Sequence, residues 1–133
     1  MYQMIKKAKW LAKEAQLRVK YMTSKDCIFC KIIAGKVKSK FLQESDQVVA
    51  FADINPVAET HILIVPKKHI ESAAEIEDSD GQDVVEMFKA AKQLVEKNNL
   101  DAYRLAFNGG RYQHVGHLHM HLLAGGSIEW NKL

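Results

Sequence analysis

The chain has 133 residues, of which 47% are hydrophobic and 26% are charged. This length and composition suit one globular domain that buries a single core without support from disulfides. The sequence contains no run near the ~18 apolar residues of a membrane span, and no apolar stretch followed by a small-residue cleavage site. We therefore expect a cytoplasmic protein without a membrane span.

The formal net charge of +3 arises at the start of the chain. Residues 1–22 hold one acidic side chain, Glu14, against the basic side chains of Lys6, Lys7, Lys9, Lys13, Arg18 and Lys20. Residues 23–133 carry more acidic than basic side chains, which argues against nucleic acid as a partner and favours an anion held by backbone N–H groups and histidines. We expect residues 1–22 to be a basic extension ahead of one domain. A solvated helix, a disordered tail, a membrane-surface or targeting helix, and sequence upstream of a start at Met22 all remain open for it.

The predicted elements of residues 23–133 are, in chain order, a short helix or turn, two strands, a long helix and two more strands. Apolar residues around Cys27 and Cys30 predict the short helix or turn, which ends at Gly35. Runs of β-branched and apolar residues predict the strands, over 48–53, 61–66, 102–108 and 117–123. Apolar residues at helical spacing predict the long helix over 79–98. This order is typical of an α+β fold.

Three histidines alternate with apolar residues in the last predicted strand. His117, His119 and His121 would share one face, because successive side chains of a strand point to opposite faces. A purely structural role is disfavoured, since three core histidines in a row would need three sets of buried partners. At ~3.3 Å per residue the outer two lie about 13 Å apart, so at most two adjacent histidines could bind one zinc ion. The spacing favours a central imidazole that faces a phosphate, with its neighbours orienting it or neutralising charge.

The run His117-Leu118-His119-Met120-His121-Leu122-Leu123 resembles the signature of the histidine-triad (HIT) superfamily. Three further segments are similar to the Hint branch of that superfamily and occur in the same order: residues 27–35, 49–56 and 60–70. The resemblance spans residues 26–130. It implies the HIT fold, an antiparallel sheet with a long helix packed on it, together with a homodimer and a purine nucleotide substrate such as an AMP conjugate.

The resemblance also implies a catalytic role for each histidine of the motif. The middle histidine, His119, would attack the α-phosphorus and form a nucleotidyl-histidine that water then hydrolyses. His121 would bind the non-bridging phosphate oxygens, where negative charge develops in the transition state. His117 would orient the nucleophile.

Four other residues would hold the nucleotide by the same resemblance. Asp53 would accept hydrogen bonds from the ribose hydroxyls, and Asn108 would hold the ribose-phosphate. Phe51 and Ile54 would line the pocket for the base. His119 and His121 would lie at the phosphate. From the residues alone, Phe51 and Ile54 could equally be core residues and Asp53 a turn cap.

The Cys27-x-x-Cys30 pair resembles the zinc-bearing bacterial members of the superfamily, in which two cysteines join histidines that correspond to His69 and His117. Such a Cys₂His₂ set is a closed, structural zinc site, which would orient His117 without contacting the substrate. No organic cofactor is expected. A thioredoxin-like redox role is disfavoured because that motif follows a strand in a βαβ unit, which this sequence lacks. His61 matches a recurring histidine and is expected in the hydrogen-bond network of the site.

One departure from the family concerns His114, which stands where Hint proteins have a serine near the leaving group. His114 could be a catalytic proton donor to an amine leaving group, or an exposed side chain without a role. The expected function is hydrolysis of an AMP–N or related AMP–X bond, as in purine nucleoside phosphoramidases. The alternatives are a dinucleoside polyphosphate hydrolase or nucleotidylyltransferase, and a zinc-stabilised nucleotide-binding or interaction module with negligible turnover. Because the transferase branch has glutamine in place of the last histidine, His121 favours hydrolysis over transfer.

Overall fold

The computed structural model describes residues 26–133, and its five strands form one antiparallel sheet with a long helix on one face. The elements are α1 (Ile28–Ile33), β1 (Gln43–Glu44), β2 (Val48–Ala52), β3 (Thr60–Pro66), α2 (Gly81–Lys97), β4 (Arg104–Ala106) and β5 (Met120–Ala124). The order of strands in the sheet is β1-β2-β3-β5-β4. The predicted α+β fold is confirmed, whereas the predicted basic extension lies outside the described residues. Within residues 26–133 no helix has both the length and the apolar character needed to cross a membrane.

The sequence predicts four of the five strands, and three of these are shorter than expected, β2 by a single residue. A strand of two residues, such as β1, is too short to show the alternation that reveals a strand. The last strand begins at Met120 rather than at residue 117, because the chain before Met120 leaves β3. There the N–H of Leu118 donates instead to the carbonyl of Ile70, at 2.6 Å. Two of the three motif histidines therefore precede β5.

Helix α2 covers one face of the sheet. Its buried residues Met87, Ala91 and Leu94 pack against the apolar side chains that β3 and β5 direct toward the helix. The helix begins after Asp80, whose carboxylate accepts the N–H of Glu77 at 2.9 Å, and it ends at Asn98. Burial of one such leucine contributes about 1.5–3 kcal/mol, so this contact holds the helix on the sheet.

The opposite face of the sheet is covered by α1. Phe29 of α1 packs with Phe51 of β2, with ring centroids 5.6 Å apart. Val49, Leu63 and Val65 complete this second cluster of buried residues, together with both cysteines. The cysteines and the motif histidines therefore lie on the face of the sheet away from α2.

Candidate active site and metal centre

The three histidines of the motif lie on one side of the sheet, as the alternation predicts. His117, His119 and His121 are all buried, and at most 6% of any of them is exposed. Leu118 and Met120, between them, are part of the core beneath α2. The ring centroids of His119 and His121 are 4.9 Å apart, so the two imidazoles border the same space. Side chains of an extended chain alternate between two faces, and this alternation continues ahead of β5 at His117 and His119.

The first histidine lies with Cys27, Cys30 and His69 in one compact cluster. Its Nδ1 is 3.3 Å from Cys27 Sγ, 3.6 Å from Cys30 Sγ and 3.1 Å from His69 Nδ1. Cys30 Sγ is also 3.2 Å from His69 Nδ1. Ligands at 2.0–2.3 Å on the corners of a tetrahedron are about 3.3–3.8 Å apart, close to these separations. The four side chains that the sequence predicts as ligands are thus positioned to bind one metal ion.

The contacts made by Nε2 of His117 and of His69, on the side of each ring away from the cluster, support this arrangement. His117 Nε2–H donates to the carbonyl oxygen of Pro66 at 2.8 Å, and His69 Nε2 lies 3.4 Å from a carboxylate oxygen of Glu71. A proton on Nε2 leaves Nδ1 with a free lone pair directed at the cluster. Such an outer acceptor is the usual companion of a metal-binding histidine.

The cysteines are held as good metal ligands by the start of α1. Cys27 is the residue before the helix, and its Sγ accepts the backbone N–H of Cys30 at 3.3 Å. Hydrogen bonding from the Cys30 thiol is the largest cause, and together with His117 and His69 it lowers the pKa of Cys27 to about 2 against the opposing effect of burial. The thiolate, which is the form that binds metals, therefore dominates at neutral pH.

His119 is buried and has one ring nitrogen bonded to the backbone. Its Nδ1–H donates to the backbone carbonyl of His117 at 2.7 Å, so the lone pair of the neutral ring is on Nε2. Burial is the main cause that lowers the pKa of His119 below its ordinary value, and this favours the neutral ring. The ring lines the adjacent cleft. A neutral imidazole with a free Nε2 beside a cleft can attack an electrophile there.

His121 has one ring nitrogen bonded and one unsatisfied. Its Nδ1 lies 2.9 Å from Nε2 of His61, in the neighbouring strand β3. Its Nε2 is buried without a hydrogen-bond partner among residues 26–133, which is rare for the polar atoms of folded proteins. Since the ring also lines the cleft, a ligand atom in the cleft is the natural partner for Nε2.

Asp53, His61 and His121 also bring potential metal ligands together, but the hydrogen bonds oppose coordination there. The Nδ1 of His61 accepts the backbone N–H of Val57 at 3.1 Å, so the single ring proton of neutral His61 is on Nε2. A metal ion on Nε2 would displace that proton and leave His61 with no proton on either nitrogen. The rings of His69 and His117 face acceptors rather than donors, which distinguishes their cluster from this one.

The residues predicted to bind a nucleotide line a cleft of about 470 Å³. Phe51 is buried in its wall, whereas Ile54 is 90% exposed at its edge and is not a core residue. Asp53 Oδ1 accepts the N–H of Asn55 at 2.8 Å, so this carboxylate does cap a turn, and Oδ2 lies 3.4 Å from His61 Nε2. Asn108 Nδ2 donates to the carbonyl of Leu133 at 3.1 Å and also lines the cleft.

The cleft includes His114 and residues that sequence reasoning missed. His114 is exposed at its border. Phe29 is also in the wall, with its ring centroid 5.1 Å from that of His119. Lys132 and Leu133 reach the cleft from the end of the sequence. Phe29 could have been noticed between the two cysteines, but no local pattern marks the last two residues.

Comparisons with known proteins agree with this geometry. Residues 26–132 match the family described as scavenger mRNA decapping enzyme C-term binding. An uncharacterized HIT-like protein from Methanocaldococcus jannaschii is 39% identical over 99 residues, which are 73% of this chain and 77% of that protein. The adenosine 5'-monophosphoramidase of Saccharomyces cerevisiae is also 39% identical over 99 residues, 73% of this chain and 61% of the yeast protein.

Solved structures give the same result. A HIT family hydrolase from Clostridium thermocellum superposes with a TM-score of 0.76 at 41% identity, covering 79% of this chain and 95% of the other. A histidine triad protein from Clostridium difficile has a TM-score of 0.76 at 40% identity, covering 80% and 96%. The family match over residues 26–132 includes α1, all five strands and the histidine motif. The chain belongs to the histidine-triad superfamily.

Proposed function

We propose that this protein is a nucleotide hydrolase that cleaves the P–N bond of adenosine phosphoramidates, or a related AMP–X bond, through a covalent intermediate on His119. The observation that carries the proposal is the hydrogen bond from His119 Nδ1 to the His117 carbonyl, which directs the reactive Nε2 lone pair away from the backbone. The monophosphoramidase activity named for the yeast relative supports the same reaction class.

The nucleoside would occupy the apolar part of the cleft. A volume of about 470 Å³ lies within the usual range for small-ligand sites. Phe51 and Ile54 would border the base, and Asp53 would accept from the ribose hydroxyls. Asn108 would turn its amide from the Leu133 carbonyl to the ribose-phosphate. This placement sets the α-phosphorus beside His119.

In the first step, the Nε2 lone pair of His119 forms a bond to the α-phosphorus as the bond to the leaving nitrogen breaks. The electron pair of that bond remains on the nitrogen, which takes a proton. We propose His114, at the border of the cleft, as the proton donor. His121 Nε2, which has no partner among the residues that the structure describes, would bind a non-bridging oxygen while its negative charge develops.

In the second step, a water oxygen attacks the phosphorus of the nucleotidyl-histidine. The bond from Nε2 of His119 to phosphorus breaks, and its electron pair returns to the ring. The proton that water loses goes to His114, which the first step left deprotonated. AMP and the protonated side chains of the starting enzyme are regenerated, so the cycle balances.

We propose zinc as the ion of the Cys27, Cys30, His69 and His117 cluster. Two thiolates and two imidazoles in tetrahedral separations are the ligand set that zinc prefers for a closed site. Zinc would supply cross-linking there, with no open position for substrate. The four residues would tie the start of α1 to the segment before β5, and so hold the carbonyl that bonds His119.

A second candidate reaction is hydrolysis of dinucleoside polyphosphates. Its support is that Lys38 and Lys132 line the same cleft as His119 and could attract an anionic leaving group. Comparison of kcat/KM for an adenosine phosphoramidate and for diadenosine tetraphosphate distinguishes the two. A higher value for the phosphoramidate supports the first proposal.

A homodimer is also proposed, with β4 at the edge of the sheet and the exposed side of α2 as the interface. Val85 and Phe88 of α2 and Tyr103 next to β4 are 48–49% exposed although they are large and apolar. An unpaired edge strand beside such a patch can pair with its copy about a two-fold axis.

The experiment that tests the catalytic proposal is hydrolysis of a fluorogenic adenosine phosphoramidate by the wild type and by His119→Asn, with the metal content measured for both. Asn retains a hydrogen-bond donor near the His117 carbonyl but lacks the nucleophile. We expect turnover to fall by at least about 10³-fold, and the wild type alone to show the mass of an adenylyl adduct after rapid quenching. Tight AMP binding by a wild type without turnover or adduct would instead indicate a binding module.

A further inference from the structure

His61 is a buried histidine outside the motif, and it contacts the motif at one point. It lies in β3, and its side chain is only 1% exposed. Its Nδ1 accepts the backbone N–H of Val57 at 3.1 Å, and its Nε2 lies 2.9 Å from Nδ1 of His121. His121 in turn directs an unsatisfied Nε2 toward the cleft. Two rings thus connect a backbone N–H to the substrate space.

The backbone N–H of Val57 determines where the protons are. Because an N–H can only donate, Nδ1 of His61 must be unprotonated, and the ring proton of His61 is on Nε2. That Nε2–H points to Nδ1 of His121, which must then be the acceptor. The remaining proton of neutral His121 is therefore on Nε2, the buried atom without a partner.

We propose that His61 is a positioning residue that fixes the tautomer of His121, so that His121 presents an N–H donor, and not a lone pair, to a phosphoryl oxygen in the cleft. The ligand in this statement rests on the proposed function, whereas the tautomer does not. The step from Val57 to His61 to His121 requires no titration, since both rings are neutral throughout.

This assignment explains how His121 can bind an anion without being charged. Burial, with smaller contributions from His119 and His61, lowers the pKa of His121 to about 3, so the ring is neutral at pH 7. A neutral imidazole has one donor and one acceptor, and an unprotonated Nε2 would repel a phosphoryl oxygen. A fixed Nε2–H makes the site complementary to the developing charge before substrate arrives.

Within the described part of the chain, Asp53 competes with His121 for the His61 proton. Its Oδ2 lies 3.4 Å from His61 Nε2, compared with 2.9 Å for Nδ1 of His121. The shorter contact is the stronger hydrogen bond, because a hydrogen bond weakens as donor and acceptor separate. His121 is therefore the principal acceptor.

The test measures the tautomer directly in the full chain without ligand. Long-range ¹H–¹⁵N spectra of histidine-labelled protein distinguish Nε2–H from Nδ1–H rings, and we expect Nε2–H for both His61 and His121 in the wild type. His61→Gln and His61→Met have side chains of equal length, and only Gln carries an N–H donor. We expect His121 to remain Nε2–H in His61→Gln and to become mixed or Nδ1–H in His61→Met.

AMP affinity supplies the functional readout. We expect His61→Met to raise the Kd for AMP by about 10-fold or more, and His61→Gln to stay within about threefold of the wild type. A wild-type His121 with its proton on Nδ1, or equal losses of affinity in both variants, would overturn the proposal. A wild type with the expected tautomers that binds no AMP would remove the nucleotide function while the tautomer assignment stands.

Discussion

The backbone carbonyl of His117 accepts the Nδ1–H of His119 at 2.7 Å, while the ring of His117 belongs to the metal cluster. One residue therefore belongs to the cluster of potential metal ligands and also bonds the proposed nucleophile. A bound metal would not touch substrate, yet it would fix the position of this carbonyl through the ring of His117. The two sites share one residue, which contributes its ring to one site and its carbonyl to the other.

Removal of the metal is therefore expected to slow the reaction as well as to destabilise the fold. We expect Cys30→Ser to lower metal content and to reduce kcat by about 10–100-fold, the usual effect of losing an outer partner of a catalytic group. The measurements are chelator-detected metal release, thermal unfolding and steady-state kinetics. Wild-type protein that is stripped and then reloaded with zinc is the control and should recover. A metal-free protein with unchanged kcat would refute the link through His117.

The stability of the protein should decrease as the pH falls below 6.5. Burial lowers the pKa of His121 to about 3, from an ordinary value of 6.5. Between these values the unfolded chain takes up a proton that the folded chain does not, so the free energy of unfolding falls by about 1.4 kcal/mol per pH unit for such a group. Burial lowers the pKa of His119 as well, and adds to the effect.

Urea unfolding at pH 7, 6, 5 and 4 measures this slope. His121→Asn, which has no titratable ring, should show a shallower dependence on pH than the wild type. Equal slopes in the wild type and in the variant would contradict the assignment to His121.

Much of the fold and part of the site follow from the sequence for physical reasons. The alternation of histidines with Leu118 and Met120 depends only on the period of an extended chain, and so it survives the late start of β5. The Cys27-x-x-Cys30 pair of the metal cluster is visible from its spacing, whereas His69 and His117 are assigned to the cluster only by the resemblance to the histidine-triad superfamily. The roles proposed for these residues and the expected cytoplasmic location stay predictions.

The remainder depends on contacts between distant segments. The contact of His61 with His121 joins residues 60 positions apart, and the contact of Leu133 with Asn108 joins residues 25 positions apart. The two-residue strand β1 exists only because β2 pairs with it. Such features are determined by tertiary packing rather than by local pattern.

Asp53 is predicted to select ribonucleotides. Asp53→Asn keeps the bond to the N–H of Asn55 through its carbonyl but loses the negative charge that ribose hydroxyls would contact. We expect the Kd for AMP to rise about 10-fold and the Kd for 2',3'-dideoxy-AMP to change little, because one charged hydrogen bond is worth about 1.5–3 kcal/mol. Calorimetric titration of both ligands measures the difference. Equal losses of affinity for the two nucleotides would show that Asp53 supports the fold and does not bind the ribose hydroxyls.

His114 is predicted to assist departure of a basic leaving group. We expect His114→Ala to reduce kcat by about 10²-fold for an alkyl phosphoramidate, whose amine must be protonated to leave. An adenosine phosphoester with an acidic phenol as leaving group needs no such proton and serves as the control substrate. Steady-state rates of both substrates at pH 7 give the comparison. A similar reduction for the two would contradict general acid catalysis by His114.

Phe88 is predicted to stabilise the proposed homodimer. Its ring is 48% exposed on α2 and lies 6.4 Å from that of Phe107, beside a groove lined by Ala91, Val95 and Leu105. A carboxylate buried there without a partner would cost several kcal/mol, so Phe88→Glu should yield a monomer.

Sedimentation equilibrium at several concentrations measures the dissociation constant, with circular dichroism to confirm that the variant folds. Phe88→Leu keeps an apolar side chain at the same position and should remain dimeric. Because the metal cluster and His119 lie on the other face of the sheet, a folded Phe88→Glu monomer should retain its zinc. A wild type that sediments as a monomer, or a Phe88→Glu variant that associates as tightly as the wild type, would place any interface elsewhere on the surface.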